Sequence, residues 1–243
     1  SGLGGGAFLV YFDNKRKETV TLDGRETAPL LIKENIFQDV DGNPLKFFDA
    51  VVGGKSVGTP GTPALLEIAY NKWGRTEWSL LFKDAISLSK NGFIVSKKLS
   101  SSVKRNKKSL SKFFRTKNYF LPNEIAIKYG EILVNKNYEQ TLKLFRKNGS
   151  KVFYKGVIAD DIISTVQKAT LNPGFLSYKD LIAYKVIGRK PVCSKYREYE
   201  VCGMGPPSSG ALTVSQILGI IENFNISELG PNNPDTWRII GDA

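Results

Sequence analysis

The order of patterns along the chain, in which two β-rich ends enclose a helical middle, most constrains the fold. Near the start, residues 8–12 and 19–22 are rich in β-branched and aromatic residues, and the connection DNKRKE between them has hairpin length. Near the other end, KPVCSKYREYEVCGM predicts two strands around a tight turn. Because the 243 residues contain neither an internal repeat nor a Pro/Ser-rich linker, we expect one α+β unit.

Helix signals fill the middle of the chain. Thr62 is expected to cap a helix that has Pro63 in its first turn and ends at Gly74. A second helix is predicted at residues 78–90, before the pair Asn-Gly. Further helices are predicted at residues 138–147, at 157–168, at 178–184 with Ser177 as cap, in a buried stretch after PPSSGA, and after Asp235 as the last cap.

Positive charge is concentrated in one segment. The formal net charge is +12, and because there is no histidine it does not depend on pH near neutrality. Residues 96–118 carry nine Lys or Arg and no acidic residue. The apolar positions of this segment fit one stripe of a helix: Leu99, Val103, Leu110, Phe113 and Phe114. Since its aromatic residues are not interleaved for base stacking, a solvated basic helix face is favoured over binding of nucleic acid or an anionic surface.

Missing residue types exclude several kinds of active site. Without histidine, the chain can build neither a Ser-His-Asp or Cys-His arrangement nor a closed zinc site from its two cysteines. The Gly-rich GLGGGA precedes a strand, so it matches no phosphate-binding loop. Ser208 and Ser209 lack a base and are interpreted as helix caps. No stretch reaches the roughly 20 apolar residues of a membrane span. No cofactor or metal ion is expected.

Arg25 is the residue whose chemistry is left to explain. It follows a β-rich run and Gly24, and Pro29 soon blocks further strand, so we expect Arg25 at a strand end. Its planar guanidinium suits a carboxylate through two parallel hydrogen bonds. From the residues alone, a structural ion pair with Asp23 or Glu26 is favoured over ligand binding.

Six segments resemble, in order, parts of the large subunit of the γ-glutamyltranspeptidases: SGLGGGAFLVYF, LDGRETAP, SVGTPGTPALLEIAYNKWG, LFKDAISLSKNGFIVS, LSYKDLIAYKVIGRKPV and PPSSGALTVSQIL. Ala7 and Ala211 stand where that family has glycine. Members are N-terminal-nucleophile hydrolases with an αββα sandwich, made as precursors that cleave themselves into two subunits. The resemblance implies part of such a sandwich here. It also implies that Arg25 holds the α-carboxylate of a small-molecule γ-glutamyl donor.

The resemblance further implies that residues 1–243 are a single-domain fragment from the middle of the large subunit. The nucleophile of the family is the N-terminal Thr of the small subunit, whose own α-amino group can take the hydroxyl proton. We therefore expect no catalytic residue in this chain, not even Ser1, and no activity from the chain alone. The implied activity is hydrolysis and transfer on glutathione and other γ-glutamyl amides, with the small subunit as partner, in the periplasm or outside the cell.

Two alternatives stay open. One is an acylase of the same superfamily, against which Arg25 argues, because a donor without an α-carboxylate has no use for its guanidinium. The other is a non-catalytic fragment whose basic helix binds anionic surfaces.

The two cysteines are expected to face each other across the second hairpin. If Arg197 and Glu198 form a two-residue turn, counting outward places Cys193 opposite Cys202, with Cα atoms about 4.5 Å apart. This predicts a disulfide in an oxidising compartment. The alternative is two small buried hydrophobic side chains, since a turn shifted by one residue would put the sulfurs on opposite faces.

Overall fold

The computed structural model describes residues 2–243, so the expectation for Ser1 lies outside the described residues. The strands are β1 (Ala7–Asp13), β2 (Glu18–Gly24), β3 (Phe93–Ile94), β4 (Ile132–Leu133), β5 (Ile187–Arg189), β6 (Val192–Tyr196) and β7 (Tyr199–Gly203). The α-helices are α1 (Phe47–Val51), α2 (Thr62–Trp73), α3 (Lys83–Asn91), α4 (Lys97–Arg105), α5 (Lys107–Leu110), α6 (Phe114–Phe120), α7 (Lys136–Asn148), α8 (Val157–Gln167), α9 (Tyr178–Ala183), α10 (Gly210–Ile221), α11 (Ile226–Leu229) and α12 (Pro234–Asp242). Short 3₁₀ helices lie at Trp78–Phe82, Pro122–Glu124 and Ser150–Phe153.

An antiparallel sheet in the order β1-β2-β5 joins the first hairpin to a distant segment. β1 pairs with β2 along the whole length of both strands, as the sequence predicts. β5 pairs with the other edge of β2, where Thr21 lies opposite Arg189. Residues 21–24 at the end of β2 are buried, and Arg25 follows them directly. Arg25 therefore leaves the central strand of the sheet, and its expected place at a strand end is confirmed.

The start of α2 differs from the sequence prediction by one residue. Gly61 is the N-cap and Thr62 is the first helical residue, and the hydroxyl of Thr62 donates to the carbonyl of Gly5 at 3.1 Å. A side chain at Gly61 would collide with the hydroxyl of Tyr184, so the chain needs glycine there. The predicted end at Gly74 is confirmed.

The other helices agree with the predictions in place, but not in every cap. Residues 78–90 form a 3₁₀ turn that continues into α3, and α7, α8 and α9 lie where they are expected. Ser177 caps α9 together with Asp180, in a reciprocal capping box. The last helix begins differently, because the side chain of Asn233 accepts from the N–H of Asp235, so Asn233 is the cap.

The basic segment is three short helices, α4 to α6, and the single helix predicted from its stripe is wrong. The backbone leaves helical geometry at Asn106 and is extended at Phe113, which breaks the stripe. Val103 is buried, whereas Phe114 is 78% exposed. The basic side chains are exposed apart from a half-buried Lys117, as a solvated face requires.

Three apolar clusters form much of the core of the described residues. They are centred on Phe145 of α7, which faces α3, on Val103 of α4, and on Ile163 of α8. α10 is not part of them. It packs on β6 and β7, but Ile221 is its only buried residue, while Leu212 and Ile220 are nearly half exposed. The expectation of a buried helix after PPSSGA is therefore wrong for the described residues, since much of the apolar surface of α10 has no cover there.

The second hairpin confirms the predicted register, with Tyr196 opposite Tyr199 and Cys193 opposite Cys202. The two cysteines form a disulfide, and their Cα atoms are 4.1 Å apart. Cys193 is exposed, so the alternative of two buried hydrophobic side chains does not describe the pair. Across residues 2–243, no helix has both the length and the apolar character to cross a membrane.

Candidate functional site

Both backbone polar groups of Arg25 are bound by side chains from its surroundings. Its N–H donates to Oδ1 of Asp23 at 2.9 Å, and its carbonyl accepts from the hydroxyl of Tyr184 at 2.9 Å. The second oxygen of Asp23 accepts from Nε of Arg189 at 2.8 Å, and the Asp23 side chain is only 8% exposed. The backbone of Arg25 is therefore held by Asp23 of β2, which Arg189 of β5 binds in turn, and by Tyr184, which directly follows α9.

The guanidinium of Arg25 is exposed and makes no salt bridge within residues 2–243. One terminal nitrogen donates to the carbonyl of Pro207, in the PPSSGA segment, at 3.2 Å. The oxygens of Asp23 bind the backbone N–H of Arg25 and Nε of Arg189 instead of the Arg25 guanidinium. The structural ion pair favoured from the residues alone is therefore wrong. Since a guanidinium has five N–H donors, Arg25 keeps donors for an anionic ligand.

Tyr184 is a stable neutral donor to Arg25. Its ring stacks on Tyr154 with centroids 5.7 Å apart, and the hydroxyl of Tyr154 donates to the carbonyl of Pro60 at 2.7 Å. Burial, together with the nearby charges of Asp23 and Glu26, raises the pKa of Tyr184 to about 12. The phenol therefore stays protonated, and its bond to the Arg25 carbonyl persists through the neutral pH range.

Asp180 anchors the loop that follows Arg25. Its Oδ1 accepts from the N–H of Leu30 at 2.6 Å, and its Oδ2 accepts from the N–H and hydroxyl of Ser177, both at 2.7 Å. Burial acts to raise the pKa of Asp180, but the hydrogen bonds from Ser177 and Leu30 outweigh it and hold the pKa below its ordinary value. The loop is thereby tied to the start of α9.

The remaining candidates are structural. Ser208 accepts from the N–H of Gly210 at 3.2 Å at the start of α10, which agrees with its interpretation as a cap, while Ser209 makes no side-chain capping bond. In the described part of the chain, the one group of potential metal ligands contains Cys193 and Cys202. Because these cysteines are joined in the disulfide, the group offers no thiolate.

Sequence reasoning found Arg25 but missed the residues that hold it. The local sequence indicates Asp23 only as a partner of the Arg25 side chain, and it does not mark Tyr184, Arg189 or Pro207 as neighbours of Arg25. The family resemblance could have indicated these residues, because Tyr184 and Arg189 both lie in the matching segment LSYKDLIAYKVIGRKPV and Pro207 lies in PPSSGALTVSQIL. Two of the segments that carry the family resemblance therefore meet at Arg25.

Comparison with known proteins identifies the fold and the family. The family model described as gamma-glutamyltranspeptidase matches residues 1–243. The glutathione hydrolase proenzyme of Bacillus subtilis subsp. natto is 34% identical over 243 residues, which are 100% of this chain and 41% of that protein. The crystal structure of Helicobacter pylori gamma-glutamyltranspeptidase superposes with a TM-score of 0.91 at 34% identity, over 99% of this chain and 68% of that one. A cephalosporin acylase from Bacillus halodurans has a TM-score of 0.79 at 21% identity, over 98% of this chain and 44% of that one, and shares the fold alone.

These similarities establish the structural class of the chain. It is α+β and carries part of the αββα sandwich of the N-terminal-nucleophile hydrolases, as predicted. It belongs to the γ-glutamyltranspeptidase family, which confirms the resemblance read from its motifs. The chain spans about two fifths of the length of the curated relative it matches.

Proposed function

We propose that this chain is part of a γ-glutamyl hydrolase and transferase that acts on glutathione and other γ-glutamyl amides, and that Arg25 binds the α-carboxylate of the donor. The observation that carries the proposal is the exposed Arg25 guanidinium, which makes no salt bridge within residues 2–243 while its backbone is fixed at both polar groups. A planar guanidinium on a fixed backbone, with N–H donors left over, suits a planar carboxylate. Membership of the family supplies the reaction class.

In the proposed reaction, residues 1–243 act as a single-domain fragment of the large subunit, and a small subunit supplies the N-terminal Thr. The Thr hydroxyl attacks the γ-carbonyl carbon and its proton passes to the terminal amine. The terminal amine then gives this proton to the departing nitrogen as the amide C–N bond breaks, which releases the leaving amine. Water or an acceptor amine then cleaves the γ-glutamyl ester. Arg25 takes no part in bond making and holds the donor in register with the Thr.

The proposed location is the periplasm or the cell exterior. The disulfide between Cys193 and Cys202 supports it, because such bonds persist in oxidising compartments. No nucleic acid is proposed as partner. The acylase alternative is less well supported, since an acyl donor without an α-carboxylate would leave the Arg25 fork unused.

Substitution of Arg25 in the complete processed protein tests the proposal. Arg25→Ala should raise KM for a γ-glutamyl anilide by an amount equivalent to about 2–4 kcal/mol, and Arg25→Lys should recover only part of this, because lysine lacks the fork. Arg16→Ala is the matched control, since Arg16 lies on the same hairpin in an exposed ion pair with Glu18. An unchanged KM in both Arg25 variants would refute the role.

The chain by itself should neither hydrolyse nor transfer γ-glutamyl groups, because it is proposed to lack the nucleophile. Purified residues 1–243 are incubated with the same anilide, and a Ser1→Ala variant serves as control. Chromophore release that disappears in the Ser1→Ala variant would contradict the expectation.

A further inference from the structure

We infer that Arg189 is a positioning residue that keeps Arg25 available for the substrate by occupying Asp23. The inference rests on the proposed function of Arg25. Arg189 donates through Nε to Oδ2 of Asp23 at 2.8 Å, while Oδ1 of the same carboxylate accepts from the backbone N–H of Arg25 at 2.9 Å. The carboxylate of Asp23 thus binds two arginines: the side chain of Arg189 and the backbone N–H of Arg25.

The argument begins with the burial of Asp23. Its side chain is only 8% exposed, and a buried carboxylate requires a cation or several hydrogen bonds. Arg25 is two residues away in the chain and carries an exposed guanidinium. In the absence of Arg189, Arg25 is the nearest cation in the sequence, and a pair between it and Asp23 would consume the fork that the substrate needs. Arg189 satisfies Asp23 and so removes this competition.

A second effect is electrostatic. An unpaired Asp23 would place a buried negative charge two residues from the arginine that is proposed to bind the donor carboxylate, and like charges repel each other. With Arg189 in place, the Asp23–Arg189 pair is neutral overall. The positive charge of Arg25 then acts on the substrate without a net negative charge at the Asp23–Arg189 pair.

The sheet holds Arg189 in the required position. Arg189 lies opposite Thr21 in the β2-β5 pairing, and the buried hydroxyl of Thr21 donates to the Arg189 carbonyl at 2.7 Å. Asp23 follows Thr21 on the same face of β2, two residues along. The register of a central strand therefore sets the distance between Arg189 and Asp23, and no loop needs to be ordered to form the pair.

The competing explanation is that the pair only stabilises the sheet. A purely structural pair predicts that its loss lowers the melting temperature and leaves the affinity for substrate unchanged in the folded protein. A positioning pair predicts a rise of KM that depends on the presence of Arg25. The two explanations therefore differ in a double-mutant cycle.

The test uses the complete processed protein and a γ-glutamyl anilide as donor. Arg189→Gln should raise KM on the order of tenfold with little change in kcat, and Arg189→Lys, which retains a cation for Asp23, should recover most of the loss. In the Arg25→Ala background, Arg189→Gln should raise KM no further. Asp23→Asn combined with Arg189→Gln provides the second test, since removing the charge of Asp23 should restore much of the affinity. Arg16→Gln, in the exposed pair with Glu18, is the control for loss of an ion pair on this hairpin.

The outcomes distinguish a failure of the proposed role of Arg189 from a failure of the proposed role of Arg25. A KM that Arg25→Ala leaves unchanged overturns the proposed role of Arg25, and the inference falls with it. If Arg25→Ala raises KM but Arg189→Gln lowers only the melting temperature, the inference alone is overturned. The inference alone is also overturned if Arg189→Gln raises KM equally with and without Arg25.

Discussion

Asp180 links the start of α9 to the loop after Arg25, and its replacement by Asn tests how much that link contributes to stability. The carboxylate accepts three hydrogen bonds, one from Leu30 and two from Ser177, while only 4% of the residue is exposed. Asparagine has nearly the same size but puts an NH₂ group where one of the oxygens stood. At least one buried donor would then face another donor.

The structure sets the size of the expected loss. Leaving a buried N–H unsatisfied costs about 1–3 kcal/mol, and weakening the capping box costs about 1 kcal/mol. We expect Asp180→Asn to lower the free energy of unfolding by roughly 2–3 kcal/mol. For a protein of this size that corresponds to a fall of roughly 4–12 °C in Tm.

Thermal unfolding of the purified protein, followed by circular dichroism, measures the effect. Asp235→Asn is the matched control, because Asp235 also lies in the first turn of a helix but its side chain is 61% exposed and pairs with Arg238 of the same helix. We expect the control to change stability by less than about 0.5 kcal/mol. Equal Tm values for the two variants would refute the reasoning.

The titration of Asp180, the disulfide and the buried hydroxyl of Thr59 give three further predictions. The folded pKa of Asp180 lies below its unfolded value, so its contribution to stability is complete above about pH 4 and is lost as the pH falls through the folded pKa; the Tm gap between wild type and Asp180→Asn should therefore shrink below about pH 4 in a pH series. Mass spectrometry of a non-reduced digest should find Cys193 and Cys202 in one linked species in protein purified without reductant from an oxidising compartment, and two alkylatable thiols would contradict the bridge. Thr59 is fully buried and its hydroxyl has no hydrogen-bond partner within the described residues, so Thr59→Val should leave stability unchanged or raise it by up to about 1–2 kcal/mol in urea unfolding, whereas a clear loss would show that the hydroxyl is bonded in the complete protein.

Local features of the fold could be predicted from the sequence. The first hairpin, the turn at Arg197 and the end of α2 at Gly74 each depend on a few adjacent residues, and all three agree with the structure. The prediction of one helix for the basic segment was wrong because its apolar positions repeat with helical spacing, whereas its backbone leaves helical geometry at Asn106 and Phe113. A stripe shows which side chains share a face only if the helix is continuous.

The contacts around Arg25 could not be predicted in the same way. Asp23 and Arg189 are 166 residues apart in the chain, and Arg25 and Pro207 are 182 apart. Nothing near Arg25 in the sequence indicates that Asp23 already has a partner, so local reasoning assigned Asp23 or Glu26 to Arg25. The position of Arg25 was predictable because it depends on Gly24 and Pro29. The absence of a salt bridge at Arg25 among residues 2–243 depends instead on the tertiary fold.

The bridge between Cys193 and Cys202 bears on how such a protein is assayed. Arg189 comes shortly before Cys193 and Pro207 shortly after Cys202, so the bridged hairpin joins the two chain segments that reach Arg25 from different sides. Glutathione, the proposed donor, is itself a thiol, and two molecules of it can reduce one bridge while forming glutathione disulfide. A γ-glutamyl anilide has no such chemistry. Wherever the donor opens the bridge, the two assays measure different covalent forms of one protein, and their rate constants become comparable only after the thiols have been counted at the end of each reaction.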